Sequence, residues 1–153
     1  MRIALGCDER RHVVQVALEL LQKWGHEVRY FGPEKPGETV PWPQAAREVA
    51  EGVAQGAFDM GVLFCWTGTG VSIAANKVPG VRAALCVDAE TARGARLWND
   101  ANVLCMSLRL TSDILVEEIL KAFLETSYRP NPEDDACIAM VRQMEVRLRQ
   151  DCV

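Results

Sequence analysis

Histidine is scarce in this chain. Its 153 residues include only His12 and His26, in no paired ligand spacing, and no Cys-x-x-Cys occurs. Both absences speak against a structural zinc site. No apolar run reaches the ~18–20 residues of a membrane span. The opening Met1-Arg2-Ile3-Ala4-Leu5-Gly6-Cys7-Asp8 turns polar too soon for a signal peptide and suits a first strand. Positive charge is not in surplus: Lys and Arg number 17 against 21 Asp and Glu, a formal net charge of -4. The basic field of a nucleic-acid binder is therefore missing. A Gly-Lys-Ser/Thr step is absent, which excludes a Walker loop, and Ile73 stands where a dinucleotide fingerprint has its third glycine. Internal repeats, low-complexity tracts and a second-domain linker are absent as well.

What is present suits one domain over residues 1–153, since 49% of the chain is hydrophobic and 25% charged. Six cysteines, Cys7, Cys65, Cys86, Cys105, Cys137 and Cys152, would suggest disulfides in a small secreted protein. Four of them end or sit within apolar, strand-like runs. They fit buried thiols in a reducing compartment, so a cytoplasmic protein is expected.

Apolar runs alternate with amphipathic stretches. Strands are predicted over 2–7, 26–31, 60–65, 81–87 and 102–106. Helices are predicted over 12–24, 43–55, 71–76, 89–97, 114–124 and 136–149 by their 3.6-residue spacing. The segment 32–43 holds four of the seven prolines and forms a loop. This alternation implies an α/β fold, a five-stranded parallel sheet with helices on both faces. Ligands then belong beyond the carboxyl ends of the strands, at Cys7-Asp8, Cys65–Gly70, Asp88 and Ser107–Arg109.

The segment Cys65-Trp66-Thr67-Gly68-Thr69-Gly70-Val71-Ser72 joins a buried strand to a helix. Its glycines permit positive φ and close approach of a ligand. The helix start offers unpaired N–H groups and a positive dipole end, an anion cradle for a phosphate or a developing oxyanion. A cysteine facing that pole is a candidate thiolate. The competing reading is a plain buried thiol, the commoner fate of a free cysteine.

The stretch from Cys65 through Asn76-Lys77-Val78-Pro79-Gly80-Val81-Arg82-Ala83-Ala84 resembles the signature of the ribose-5-phosphate isomerase B and galactose-6-phosphate isomerase family. Thr91-Ala92-Arg93 and Asn99-Asp100-Ala101-Asn102-Val103-Leu104 resemble its next block, and the likeness extends to about residue 128. It implies a three-layer Rossmann-like sandwich and a homodimer or tetramer with the active site between subunits. It also implies isomerisation of a small sugar or sugar phosphate through a cis-enediolate, with no metal and no organic cofactor. By analogy Cys65 is the base and Thr67 relays the hydroxyl proton. The backbone N–H groups of Gly68, Thr69 and Gly70 hold the enediolate, with Ser72 in the same block. Asp8 and Asn99 bind sugar hydroxyls, and Arg109 reaches the phosphate.

The sequence departs from that family where it has Asp-His and this chain has Asp8-Glu9. Trp98 replaces the histidine that opens the sugar ring, Trp66 a glycine, and Trp42 a tyrosine. The family's Gly-Gly-Arg-His phosphate clamp becomes Arg129-Pro130-Asn131-Pro132-Glu133-Asp134-Asp135, whose three carboxylates repel a dianion. Arg10 with Arg11, or Arg129, are conceivable substitutes, against the plainer reading of solvated charges. Trp42, Trp66 and Trp98 are expected to line one pocket wall, or else simply to pack. Glu133–Asp135 suits a helix start. Cys137, Val141, Met144 and Leu148 suit a face that docks on a partner subunit, making 129–153 a helical extension at the interface. An isomerase with an altered, short or open-chain substrate is expected. The alternative is a non-catalytic or partner subunit that keeps the fold.

Overall fold

The computed structural model describes residues 1–150, and side chains through Val146. Leu148 and Cys152, named above, lie outside the described side chains. The elements run β1 (Arg2–Cys7), α1 (His12–Lys23), β2 (Glu27–Phe31), α2 (Trp42–Ala54), β3 (Met60–Cys65), α3 (Thr69–Ala75), β4 (Ala83–Leu85), α4 (Ala89–Asn99), β5 (Val103–Ser107), α5 (Asp113–Glu125) and α6 (Pro132–Gln150). All strand pairs are parallel, in the order β2-β1-β3-β5-β4.

Alternate residues of the buried strands feed two cores, as period-2 side-chain geometry requires. Ile3, Leu5, Val62, Phe64, Leu104 and Met106 meet α1 and α5 on one face. Ala4, Leu63, Cys65, Val103 and Cys105 meet α2 and α3 on the other. The result is a helix–sheet–helix sandwich. The chain leaves β1 in one direction toward β2 and in the other toward β3, so the topological switch lies between β1 and β3. Asp8 and Cys65 stand at the carboxyl ends of these two strands.

The sequence pattern overstates β4. Only Ala83–Leu85 pairs as a strand, because side chains replace the ladder at its start. The Asn76 carboxamide donates to the Ala83 carbonyl at 2.9 Å and accepts from the Ala83 N–H at 2.9 Å. The Arg82 N–H goes to Asn102 Oδ1. It understates α6, which starts at Pro132 rather than 136. Pro suits a first helical position, and Asn131 Oδ1 accepts the Asp134 N–H at 2.9 Å. Glu133, Asp134 and Asp135 therefore occupy the first turn, where the dipole favours them.

Candidate active site

Cys65 is the last residue of β3, opposite Ser107 of β5, while Phe64 lies opposite Cys7 of β1. Its side chain belongs to the α2/α3 core and is only 5% exposed. The turn that follows is pinned from β5. Leu108 N–H donates to the Cys65 carbonyl at 2.9 Å. The Trp66 carbonyl takes both the Ser107 hydroxyl at 2.8 Å and the Arg109 N–H at 3.2 Å.

Gly68 sits in the left-handed region, φ +75°, and a Cβ there would lie 2.6 Å from Leu85 Cδ1 and 2.9 Å from the Met106 carbonyl carbon. Only glycine fits both demands. Its N–H is taken by the Cys65 carbonyl at 3.2 Å, so it is not among the turn's open donors. Among the described residues the N–H groups of Thr69, Gly70 and Val71 have no backbone acceptor, as the first positions of a helix should. Val71 is thus a donor that residue spacing missed. The Thr67 and Thr69 hydroxyls share a 2.6 Å hydrogen bond. Ser72 is partly buried, and its hydroxyl faces the Cys105 thiol.

Asp8, just past β1, carries the one buried side-chain oxygen without a partner among the described residues, Oδ1. Burial holds its carboxyl above the ordinary carboxylate range, with backbone N–H groups pulling the other way. A ligand hydroxyl would satisfy that oxygen. The Asp8 carbonyl accepts the Val40 N–H at 2.9 Å, and Glu9 bridges to Thr39. The proline-rich loop is thereby tied to the site.

The three tryptophans do not form one wall. Trp42 rests on Gly70, where a Cβ would come within 3.0 Å of its ring. Trp66 lies under the Arg11 guanidinium, 4.8 Å from the ring centroid. Trp98 packs on Gly94 and lines a hollow of about 630 Å³ with Leu85, Thr91 and Asn99. Helix α4 runs back against the strands, so its last residue, Asn99, ends beside Arg82 and Ala101 near the amino ends of β4 and β5. A five-residue strand separates that end of the sheet from the Cys65 end, ~17 Å. One chain gathers Asp8, Cys65, Thr67, Thr69, Gly70, Trp42 and Arg109. It does not gather Trp98 or Asn99 with them. Arg129 lines another hollow, with Arg93, Leu97 and Glu125.

Asp88, one of the ligand positions expected beyond a strand's carboxyl end, caps α4 by accepting the Thr91 N–H at 2.7 Å. That bond keeps its carboxyl below the usual range. Cys7 and Cys86 are pushed up by burial, to about 11 and about 12, and serve as core residues. Among the described residues no His/Cys/Asp/Glu group could hold a metal ion, and no helix is long and apolar enough to cross a membrane.

Residues 3–141 match the model of a family described as Ribose/Galactose Isomerase. The chain belongs to that family. It is 38% identical over 145 residues to galactose-6-phosphate isomerase subunit LacB of Clostridium acetobutylicum, covering 94% of this chain and 83% of the relative. It is 33% identical to D-erythrulose-4-phosphate isomerase of Pectobacterium atrosepticum, over 84% of this chain and 85% of that one. The Clostridium thermocellum ribose-5-phosphate isomerase B structure superposes with a TM-score of 0.92 at 34% identity, covering 97% of this chain and 99% of that chain. The ribose/galactose isomerase family is thus reached by sequence and by fold alike.

Proposed function

We propose that this member of the family interconverts an aldose and a ketose phosphate of four carbons in open-chain form, with Cys65 as the base. The carrying observation is the convergence of one thiol, three free N–H groups and one unsatisfied carboxylate oxygen on the ends of β1 and β3. The Cys65 thiolate removes the C2 proton of the aldose and returns it to C1. Thr67 moves the hydroxyl proton from O2 to O1. The N–H groups of Thr69, Gly70 and Val71 meet the charge that gathers on the enediolate oxygen, which makes a weakly acidic C–H removable. Asp8 Oδ1 accepts a substrate hydroxyl.

The substrate size follows from Trp98. An indole cannot donate and accept a proton at a ring oxygen as a histidine can. A tetrose phosphorylated on O4 has no free hydroxyl with which to close a furanose, so no ring needs opening. A relative named for D-erythrulose 4-phosphate is consistent with this. Cys65→Ala should lower kcat about 10²–10⁴-fold, read as loss of solvent deuterium exchange into erythrulose 4-phosphate. Ribose 5-phosphate should be the poorer substrate of the parent protein. Equal turnover of both sugars would remove the size argument, and an active Cys65→Ala would remove the base.

The protein works in this reading as a homodimer or a higher oligomer, whose second copy supplies the Asn99 and Trp98 that one chain keeps away from its own thiol. A second reading is favoured by the LacB relative, which is named as a subunit: a chain active only beside an unlike partner. Activity of the purified chain alone separates the two.

A further inference from the structure

The four basic side chains near the carboxyl ends of β1 and β5 differ in what they are free to do. Arg10 is tied down, with Nη2 donating to Gln15 Oε1 at 2.6 Å, Nη1 reaching the Glu34 carbonyl at 3.4 Å, and its guanidinium over Tyr30. His12 Nε2 is held by Asp113 at 2.9 Å. Arg109 donates its N–H to the Trp66 carbonyl, and its exposed side chain has no hydrogen bond or ion pair among the described residues. Arg11 is the cation held in place beside Trp66 without being used up. Its guanidinium lies over the Trp66 ring, 4.8 Å from the centroid, and Nη2 alone reaches Glu9 Oε1 at 2.9 Å. Its side chain stays 47% exposed. One ion pair uses a single donor of a group that has five, and a stacked guanidinium keeps its edge free for an oxyanion. The side chain also lines a hollow of about 380 Å³ with His12, Val13, Leu108, Thr111 and Asp113.

Trp66 explains this placement. Successive strand residues point to opposite faces. Cys65 faces α2 and α3, so its neighbour turns toward α1, whose cap residue is Arg11. A tryptophan is a large thing to expose, yet Trp66 is 50% exposed beside the reacting thiol. Its carbonyl, held by Ser107 and Arg109, fixes the ring's base. Its face fixes the cation. Glu9 pairs with the guanidinium through Nη2.

We infer that Arg11, held by Trp66 and Glu9, binds the terminal phosphate of the substrate, and that Trp66 is the positioning residue for it. This rests on the isomerase reading above and names the group that selects a phosphorylated over a neutral sugar. A charge-assisted contact of this kind changes affinity by about 10- to 100-fold.

The test uses the intact protein, with calorimetric titration of inorganic phosphate beside steady-state kinetics on erythrulose 4-phosphate. Arg11→Ala should weaken phosphate binding and raise KM by about 10- to 100-fold, with kcat changed far less. Arg11→Lys should recover only part of this, since an ammonium does not stack or fork as a guanidinium does. Trp66→Ala should weaken phosphate binding in the same direction, and Trp66→Phe should restore most of it. Both side chains are half exposed, so unchanged thermal midpoints are expected and confirm intact folds. Phosphate affinity unchanged in Arg11→Ala, or equal in Trp66→Ala and Trp66→Phe, would overturn the inference. Should the parent protein show no isomerisation while phosphate binding still depends on Arg11, the anion site stands and the proposed reaction falls.

Discussion

Asp8 and Gly68 tie the candidate site to the stability of the fold. The Asp8 carboxyl binds its proton more tightly in the folded chain than in the unfolded one, because burial disfavours its charge. Its contribution to stability is therefore fully present below the ordinary carboxylate range and is lost as pH rises through the raised folded value. Asp8→Asn should melt above the parent near pH 7.5, read as a higher thermal midpoint. The advantage should vanish as the pH falls toward 3, while isomerase activity drops at all pH values. Gly68→Ala should lower stability by roughly 2–4 kcal/mol, summing a left-handed Cβ and a clash with the Met106 backbone. Urea midpoints read this directly. Cys65 and Gly68 were legible in the sequence because a strand, a glycine turn and a helix follow one another there. The Arg11–Trp66 stack was not, since 55 positions part the two residues and only folding brings them together. The free N–H of Val71 was not either, since the Gly68 N–H had first to be seen on the Cys65 carbonyl.

Among the elements, the end of α4 is held by charge. Asp100 has φ 44°, left-handed without being glycine. Its carboxylate accepts from Arg82 Nη2 at 3.0 Å and Arg96 Nη1 at 3.1 Å. Arg96 is 7% exposed and also donates to the Thr126 and Ala101 carbonyls. Burial lowers its pKa, and Asp100 works against that shift. Asp100→Ala leaves a buried cation short of its carboxylate and should cost about 3–5 kcal/mol. Asp100→Asn should cost least, since it keeps an acceptor and tolerates the left-handed region, with Asp100→Gly between them. Guanidinium unfolding curves would rank the three. Helix spacing made α1, α2, α4 and α5 visible beforehand. The shortness of β4 stayed hidden, because the Asn76 amide that replaces its ladder belongs to a different element.

At the scale of the whole molecule, α6 meets its own body mainly through Ile138 and through Glu145, whose two oxygens accept the Gly80 N–H at 3.1 Å. Met140, Val141 and Met144 are left exposed, and at helical spacing they share an apolar face of the sort that marks an interface. The split between Cys65 and Asn99 gives that association a functional test. Cys65→Ala and Asn99→Ala should each be inactive. Mixed and allowed to exchange subunits, they should recover about a quarter of parental activity, as half the dimers become hybrids with one intact site of two. Continued silence of the mixture would mean that each chain works alone or not at all.

The hold of Ser107 on the Trp66 carbonyl, 41 residues away in the chain, bears on how the protein is made. Synthesis proceeds from the N-terminus, and early segments organise before later ones emerge. The turn beyond Cys65 is translated well before the strand that locks it, and β4 leaves the ribosome with its neighbour still unmade. The nascent chain therefore carries the turn beyond Cys65 unpinned until β5 threads between two strands already present. The turn that carries the candidate site is set only once β5 is in place.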